Sequence, residues 1–472
     1  MPLHKNLRLY NFINFIEVID KSSLIDYDYN EVYEVLFHYT LHNFIVSIDF
    51  MKFYEMRCSS MERAILHSDL NCFYASVEMM LNPSLRDKAV AVCGSTENRH
   101  GIVLAKSEKA KKAGIKTGMV NWEARKLCKD LIIVPPQYDQ YLKYSKLTQA
   151  IYHRYSDLVE PFGMDECWID VTGSQKLYGS PMEIAKDISR TVKEELGLTV
   201  SVGVSFNKIF AKLGSDLKKP DAITEIKKDT FKDIVWPLNC SEMIYCGRST
   251  TTKLANYGIH TIGDIAKTEP QFLKHILGIN GITLWHYANG TDQSRVMHKD
   301  FVTPIKSVGH GITCVSDLDN NTEVWKVILS LSQDIGHCLR LYGLSAKGVQ
   351  ISIRGDTLFS SQFQCKLPFK TQLPSEIGCA AYKLFQEKYS WNSPVRSVCV
   401  RAINLVQLDE ADQLSLFIDN KRHIKREHLE DTVEELRRRF GKQAITYGVL
   451  LGDLKMPNDG RDGVKMPNMM YR

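Results

Sequence analysis

Hydrophobic and polar positions change period several times along the chain, and each change predicts a different kind of element. Ala64-Ile65-Leu66-His67-Ser68-Asp69 is a short apolar run that ends on a carboxylate, the pattern of a buried strand. Residues 89–94 and 101–105 predict two further strands, and Lys106–Ala113 predicts a helix stopped by Gly114. Apolar residues recur at helical spacing from Tyr138 to Val159. Phe162–Val171 and Leu198–Val204 predict strands, with a helix over Pro181–Leu196 between them. Strand, helix and strand in that order, with acids at strand ends, predict a small α+β catalytic domain.

Beyond it the texture shifts. Gly247 to Asn289 predicts short helices punctuated by glycines, as in Tyr257–Gly263 and Leu277-Gly278-Ile279-Asn280-Gly281. Ser307 to Asn404 alternates polar and apolar residues at period two, clearest at 348–354 and 395–404, which predicts a separate sheet-containing domain. Residues 411–472 form a polar tail with one helical stretch over His423–Phe440. Residues 1–60 differ from the rest, being acidic, rich in Phe and Tyr and free of Gly, and Met61 follows them. They are read as an extension of unknown role, and Met61 is read as the true start. Their Asp49…Phe53-Tyr54 repeats the spacing of Asp69…Phe73-Tyr74, but only the second copy runs on into a helical stretch, so the first is taken as coincidence.

At 472 residues the chain is long enough for three or four domains. The net charge is +5, and residues 61–472 carry 55 basic against 47 acidic side chains, a surplus that suits a polyanion partner without proving one. The 12 cysteines stand singly with no C-x2-C pair, so reduced thiols in a cytoplasmic protein are expected rather than a zinc knuckle or disulfide scaffold. No apolar run approaches a membrane span.

Three acids are candidates for chemistry. Asp69 ends one predicted strand, and Asp165-Glu166 lie within Gly163-Met164-Asp165-Glu166-Cys167-Trp168-Ile169-Asp170. Carboxylates gathered at strand ends can hold paired Mg²⁺ ions, hard cations that prefer oxygen ligands and triphosphate oxygens. Ordinary surface acids at strand ends would look the same by spacing. The segment 203–212, continuing to Lys218-Lys219-Pro220, places several ammonium groups where a phosphate chain would be neutralised, although a solvated helix face has the same composition.

Asp69-Leu70-Asn71-Cys72-Phe73-Tyr74-Ala75-Ser76-Val77-Glu78, Met164–Thr172 and the G-x-S-x-N-K-x-x-A-K pattern of Gly203–Lys212 together resemble the Y-family DNA polymerases. Weaker similarity extends from about residue 61 to about residue 450. The resemblance implies a right-hand, α+β multidomain polymerase. Its ferredoxin-like palm would be 61–80 and 138–227, its small fingers 81–137, and its helix-hairpin-helix thumb 228–295. An α/β little finger would occupy 302–406, followed by the tail 407–472. It implies a nucleotidyltransferase acting in translesion synthesis on primer-template DNA and dNTPs, with two Mg²⁺ ions.

Carried over position by position, Asp69 and Asp165 are metal ligands, Leu70 lends its backbone carbonyl, and Glu166 completes the site. Tyr74 stands at the steric gate that selects deoxynucleotides, and Phe73 packs beneath the incoming sugar or base. Lys219 contacts the triphosphate. The family's fingers often contact triphosphate through Tyr and Arg. Here those positions hold Glu108, which cannot donate to a phosphate, and Lys111, which substitutes as a point charge without Arg's fork. This lysine-rich segment resembles the UmuC-like branch of Gram-positive bacteria.

Gln413-Leu414-Ser415-Leu416-Phe417 resembles the peptide that binds the bacterial sliding clamp. Gln413 would lead, with Leu414, Leu416 and Phe417 as anchors for a hydrophobic pocket. In the little finger, Lys306, Arg354, Arg396 and Arg401 are expected phosphate contacts, and Arg396 and Arg401, five apart on one strand, should face opposite ways. A noncatalytic DNA- and clamp-binding protein of the same fold is the alternative that Glu108 suggests.

Overall fold

The computed structural model describes residues 62–410, 420–442 and 444–457, and everything below concerns those from Ala64 onward. The first element is strand β1 (Ile65–Leu70), buried along its whole length. Helix α1 (Phe73–Leu81) follows after Cys72, which takes a left-handed backbone with φ 50°. Next comes a small layer of β2 (Val90–Cys93), β3 (Val103–Lys106), α2 (Glu108–Lys112), α3 (Asn121–Leu127) and β4 (Ile132–Val134). Its three strands order β3-β2-β4 around a modest core that includes Ala91, Val103, Ala110, Ile115 and Ala124.

The chain then returns to β1 through α4 (Tyr138–Tyr152), β5 (Val159–Pro161), β6 (Glu166–Asp170), α5 (Pro181–Leu196), β7 (Val200–Ser205), α6 (Lys208–Leu217) and β8 (Ile223–Ile226). These complete a five-stranded sheet in the order β5-β6-β1-β7-β8. The strand expected over Phe162–Val171 is shorter, β6, and it pairs antiparallel with β5 across a turn at residues 162–165 where Gly163 has φ +88°. The helix expected over Tyr138–Val159 stops at Tyr152, and its last expected residue, Val159, opens β5.

The sheet is covered on both faces, and residue parity decides what each face meets. Leu66 and Leu70 of β1 and Cys167 and Ile169 of β6 join α4 and α5 in one core. Ile65, His67 and Asp69, with Trp168 and Glu166 of β6, turn to the other face, where α6 lies. That helix sits directly on β7, since a Cβ on Gly203 would come within 1.8 Å of the Ala211 carbonyl oxygen. Only glycine permits so close an approach, and the approach brings the α6 lysines over the acids.

Four short helices follow, α7 (Arg248–Ala255), α8 (Ile262–Lys267), α9 (Pro270–Leu277) and α10 (Ile279–Ala288). Gly258 and Gly278 take positive φ between successive helices, where sequence predicted glycine-punctuated turns. The last layer is β9 (Val308–Leu318), α11 (Asn321–Leu341), β10 (Leu344–Gly355), β11 (Ser360–Thr371), α12 (Pro374–Lys388) and β12 (Val395–Gln407), an antiparallel sheet ordered β11-β10-β12-β9 with both helices on one face. Arg354 and Arg401 are exposed. Arg396 is half-buried and shares the parity of buried Val398 and Val400, across a register shift at Val395/Ser397. Helix α13 (Asn420–Phe440) packs outside α11 and α12, and Gln413–Phe417 lies outside the described residues.

Candidate active site

The carboxylates meet because of strand register. Asp69 of β1 pairs directly with Glu166 of β6, and Leu70 N–H donates to the Asp165 carbonyl oxygen at 2.9 Å, which fixes Asp165 just before β6 begins. Three acids thus stand at one end of two adjacent strands. Burial, and after it the neighbouring Asp69 and Glu166 charges, pushes the Asp165 carboxyl up to about 7. Burial and then Glu166 likewise raise Asp69.

Two lysines answer that negative charge. Lys219 Nζ lies 2.7 Å from Asp69 Oδ2 and 2.9 Å from Asp216 Oδ1. Lys212 Nζ lies 2.6 Å from Glu166 Oε2 and 3.4 Å from Asp216 Oδ2. Burial works against both ammonium groups, yet the acids outweigh it and both are held above the ordinary lysine range. Beneath them His67 is fully buried, with Nδ1 2.8 Å from Ser215 Oγ and Nε2 3.3 Å from Glu166 Oε2. Burial first, and then Lys212, lower its pKa well below the usual histidine value, so it is neutral at pH 7.

In kind, the donor set fits divalent cations: hard carboxylate oxygens that repel one another. Among the described residues no three His, Cys, Asp or Glu groups stand in ready ligating geometry. Asp69 and Glu166 are turned instead toward Lys219 and Lys212, whose ammonium groups supply the positive charge that the acids require. Lys219 therefore sits at the acids, 27% exposed at its side chain.

Tyr74 projects from α1 beside this cluster. Its ring lies flat on that of Tyr141, with centroids 4.2 Å apart and planes 8° from parallel, while Tyr138 meets it edge-on. Buried Glu78, one turn further along α1, accepts hydrogen bonds from Tyr141 Oη and, at 2.7 Å, from Gln137 Nε2. Tyr74 is thus backed by a ring that is itself anchored. Phe73, expected beneath the sugar or base, is buried in the core against Tyr74 and Tyr141.

Across the pocket Lys111 is half exposed, its Nζ 3.5 Å from Glu108 Oε1, and the same Glu108 oxygen accepts the Cys72 thiol at 3.1 Å. Asn207, buried at the start of α6, caps the helix by accepting from Phe210 N–H at 2.8 Å. Sequence reading had not singled out His67, Asp216, Glu78 or Tyr141 for the site. Ser201 Oγ and Thr199 Oγ1 hold the Asn71 side chain, which steadies the turn between Leu70 and α1.

Residues 68–216 match the impB/mucB/samB family and residues 305–416 match its C-terminal domain. A protein named DNA polymerase IV from Acetivibrio thermocellus is 47% identical over 393 residues, covering 83% of this chain and 98% of that one. The chain belongs to the Y family of DNA polymerases. DNA polymerase IV 1 of Bacillus subtilis is 37% identical over 381 residues, covering 80% of this polymerase and 91% of its own length. Both relatives bear the polymerase IV name, not that of the UmuC-like branch. A solved Y-family DNA polymerase chimera of Dbh and Dpo4 shares the fold, with a TM-score of 0.66 at 22% identity, covering 73% of this chain and 99% of the chimera. Enzymes of this family are DNA-directed DNA polymerases of translesion synthesis, and their nucleotidyl transfer depends on a divalent metal. No helix among the described residues is long and apolar enough to cross a membrane.

Proposed function

We propose that this polymerase adds deoxynucleotides to a primer 3′ end by two-metal phosphoryl transfer, with Asp69, Asp165, Glu166 and the Leu70 carbonyl holding two Mg²⁺ ions. The observation that carries the reading is the cross-strand pairing of Asp69 with Glu166 beside an Asp165 whose carboxyl is pushed up to about 7. A buried Asp165 carboxyl held that high is one whose ionised form cations would stabilise. When bound, the ions supply Lewis acidity at the attacking hydroxyl and the departing pyrophosphate.

The chain's own groups do the rest. Lys219 leaves Asp69 for the triphosphate, and Lys111 meets the same phosphates from the fingers side, each as a point charge. Tyr74, held flat against Tyr141, blocks a ribose 2′-hydroxyl, so that ribonucleotides are refused by contact. Phe73 keeps that ring from sinking away. We assign the palm to 61–80 and 138–227, the fingers to 81–137, the thumb to 228–295 and the little finger to 302–406. Positive-φ Gly258 and Gly278 in the thumb turns would present backbone N–H groups to DNA phosphates. Gln413, Leu414, Leu416 and Phe417 in the tail would engage a bacterial sliding clamp, in the cytoplasm.

Primer extension with Mg²⁺ and dNTPs tests this. Asp165→Ala and Glu166→Ala should each lower the rate on the order of a thousandfold, the scale of losing several kcal/mol of transition-state charge stabilisation. Extension that survives either change at near-parental rate sinks the assignment.

A further inference from the structure

Glu108 is out of place in a pocket for an anionic substrate, and its contacts say what it does there. Its carboxylate takes a thiol hydrogen bond from Cys72 at 3.1 Å and faces the Lys111 ammonium at 3.5 Å. Cys72 is the residue from which α1 starts. The helix has no side-chain cap and no acid in its first turn, and its first backbone bond runs from Ser76 N–H to the Cys72 carbonyl oxygen. The N–H groups of residues 73–75 therefore point out of the helix end, beside the same thiol. A cation, a hydrogen-bond donor and a helix N-terminus converge where a phosphate chain is expected to lie, and one resident carboxylate already holds the first two.

We propose that Glu108 is a built-in competitor for the incoming triphosphate: in the nucleotide-free protein it occupies Lys111 and Cys72, nucleotide binding displaces it, and its charge sets how tightly dNTPs are held. This rests on the reading of the pocket given above. The Glu108 side chain is 34% exposed and the Lys111 side chain 50%, so the pair is weak enough to be exchanged. Cys72 donates its thiol hydrogen to Glu108, and the same S–H can meet a phosphate oxygen in its place.

A staple that merely holds fingers to palm would use the same contacts, and the two roles differ in sign. If Glu108 competes, Glu108→Gln, which keeps the side-chain size and an oxygen for Cys72, tightens dNTP binding roughly 3–10-fold. That is the scale of one charge a few ångströms from a phosphate in a hydrated pocket. The dNTP KM falls while kcat changes little, and the gain shrinks in high salt. Calorimetric titration of the full-length protein with inorganic tripolyphosphate, without DNA, shows the same tightening. Glu108→Ala also tightens binding, although it removes the staple altogether. Nucleotide affinity that is unchanged or weakened in Glu108→Gln, in a protein that still extends primers, overturns the proposal. A parental protein that extends no primer overturns instead the polymerase reading on which the proposal rests.

Discussion

Asp165 would couple the proposed metal site to pH. Its carboxyl titrates at about 7, raised from the ordinary 3.8 by burial and then by Asp69 and Glu166. Above about 7 it is ionised when folded, and the metal-free fold bears the cost of a buried, repelled charge. As pH falls from about 7 toward 4, the folded protein takes up a proton that the unfolded chain does not bind, and this group's contribution to stability rises. Divalent cations require the ionised form, so their binding must expel that proton below pH 7. The rise in melting temperature on adding Mg²⁺ should therefore be clearly larger at pH 8 than at pH 6, and Asp165→Asn should flatten the difference. An equal rise at both values in the parental protein would refute the coupling. The acids themselves were legible in sequence because contiguous motifs spell them out. Tyr141 and Glu78 were not, because an aromatic and a glutamate at helical spacing look like ordinary core and surface until the ring is seen lying on Tyr74.

Among the elements, α5 was read to the residue. Pro181 opens it, Gly197 closes it with φ +65°, and Ser180 and Glu183 form a reciprocal capping box. The β5–β6 hairpin was missed because Val159 continues the helical spacing read from Tyr138 and so hides β5, leaving Gly163 as a lone turn signal. Helix α13 was foreseen, but not how it is held. It docks through polar pairs: Arg340 to Asp431 at 3.2 Å, His423 to Glu376 at 3.1 Å, Arg437 to Gln333 at 2.6 Å, and His337 to Glu434. Leu429 and Phe440 are left facing solvent. Asp431 and His337 are well exposed, and pairs at such positions contribute only about 0–1 kcal/mol each, with 1 M salt shortening their reach to about 3 Å. Amide exchange across 420–440 should accelerate between low salt and 1 M NaCl, while β10 and β12, buried in their own core, stay protected. Exchange in α13 that ignores salt would mean that apolar contact holds it.

At the scale of the whole molecule, the four-stranded layer joins the rest by two described connections of very different strength. One is the chain itself. Val296 is buried beside Ile65, Trp168 and Ala211, and Met297 N–H donates at 3.0 Å to the Glu160 carboxylate. Glu160 also holds Lys208 Nζ at 2.7 Å, and that ammonium lies 4.3 Å over the Trp168 ring. Lys299 adds a bond to Asp157 at 2.6 Å. With 296–299 pinned and Ile305 packed on the core of the layer itself, residues 300–304 span the two attachments, a tether of roughly 18 Å at most. The other described connection is one ion pair, Arg99 between β2 and β3 with Asp317 of β9, both side chains about a quarter exposed. Removing one partner of a buried pair strands the other, so Glu160→Ala should destabilise the protein by about 3–5 kcal/mol in denaturant titration. Arg99→Ala should cost about 1 kcal/mol or less. Yet Arg99→Ala should have the larger effect on shape. Once the pair is broken the tether is the remaining described connection, and the radius of gyration in solution scattering should rise while the melting temperature barely moves. If Glu160→Ala matched the parent in stability, Lys208 would have to find another partner or lose its charge. The linker would then be held by Val296 and Lys299 alone.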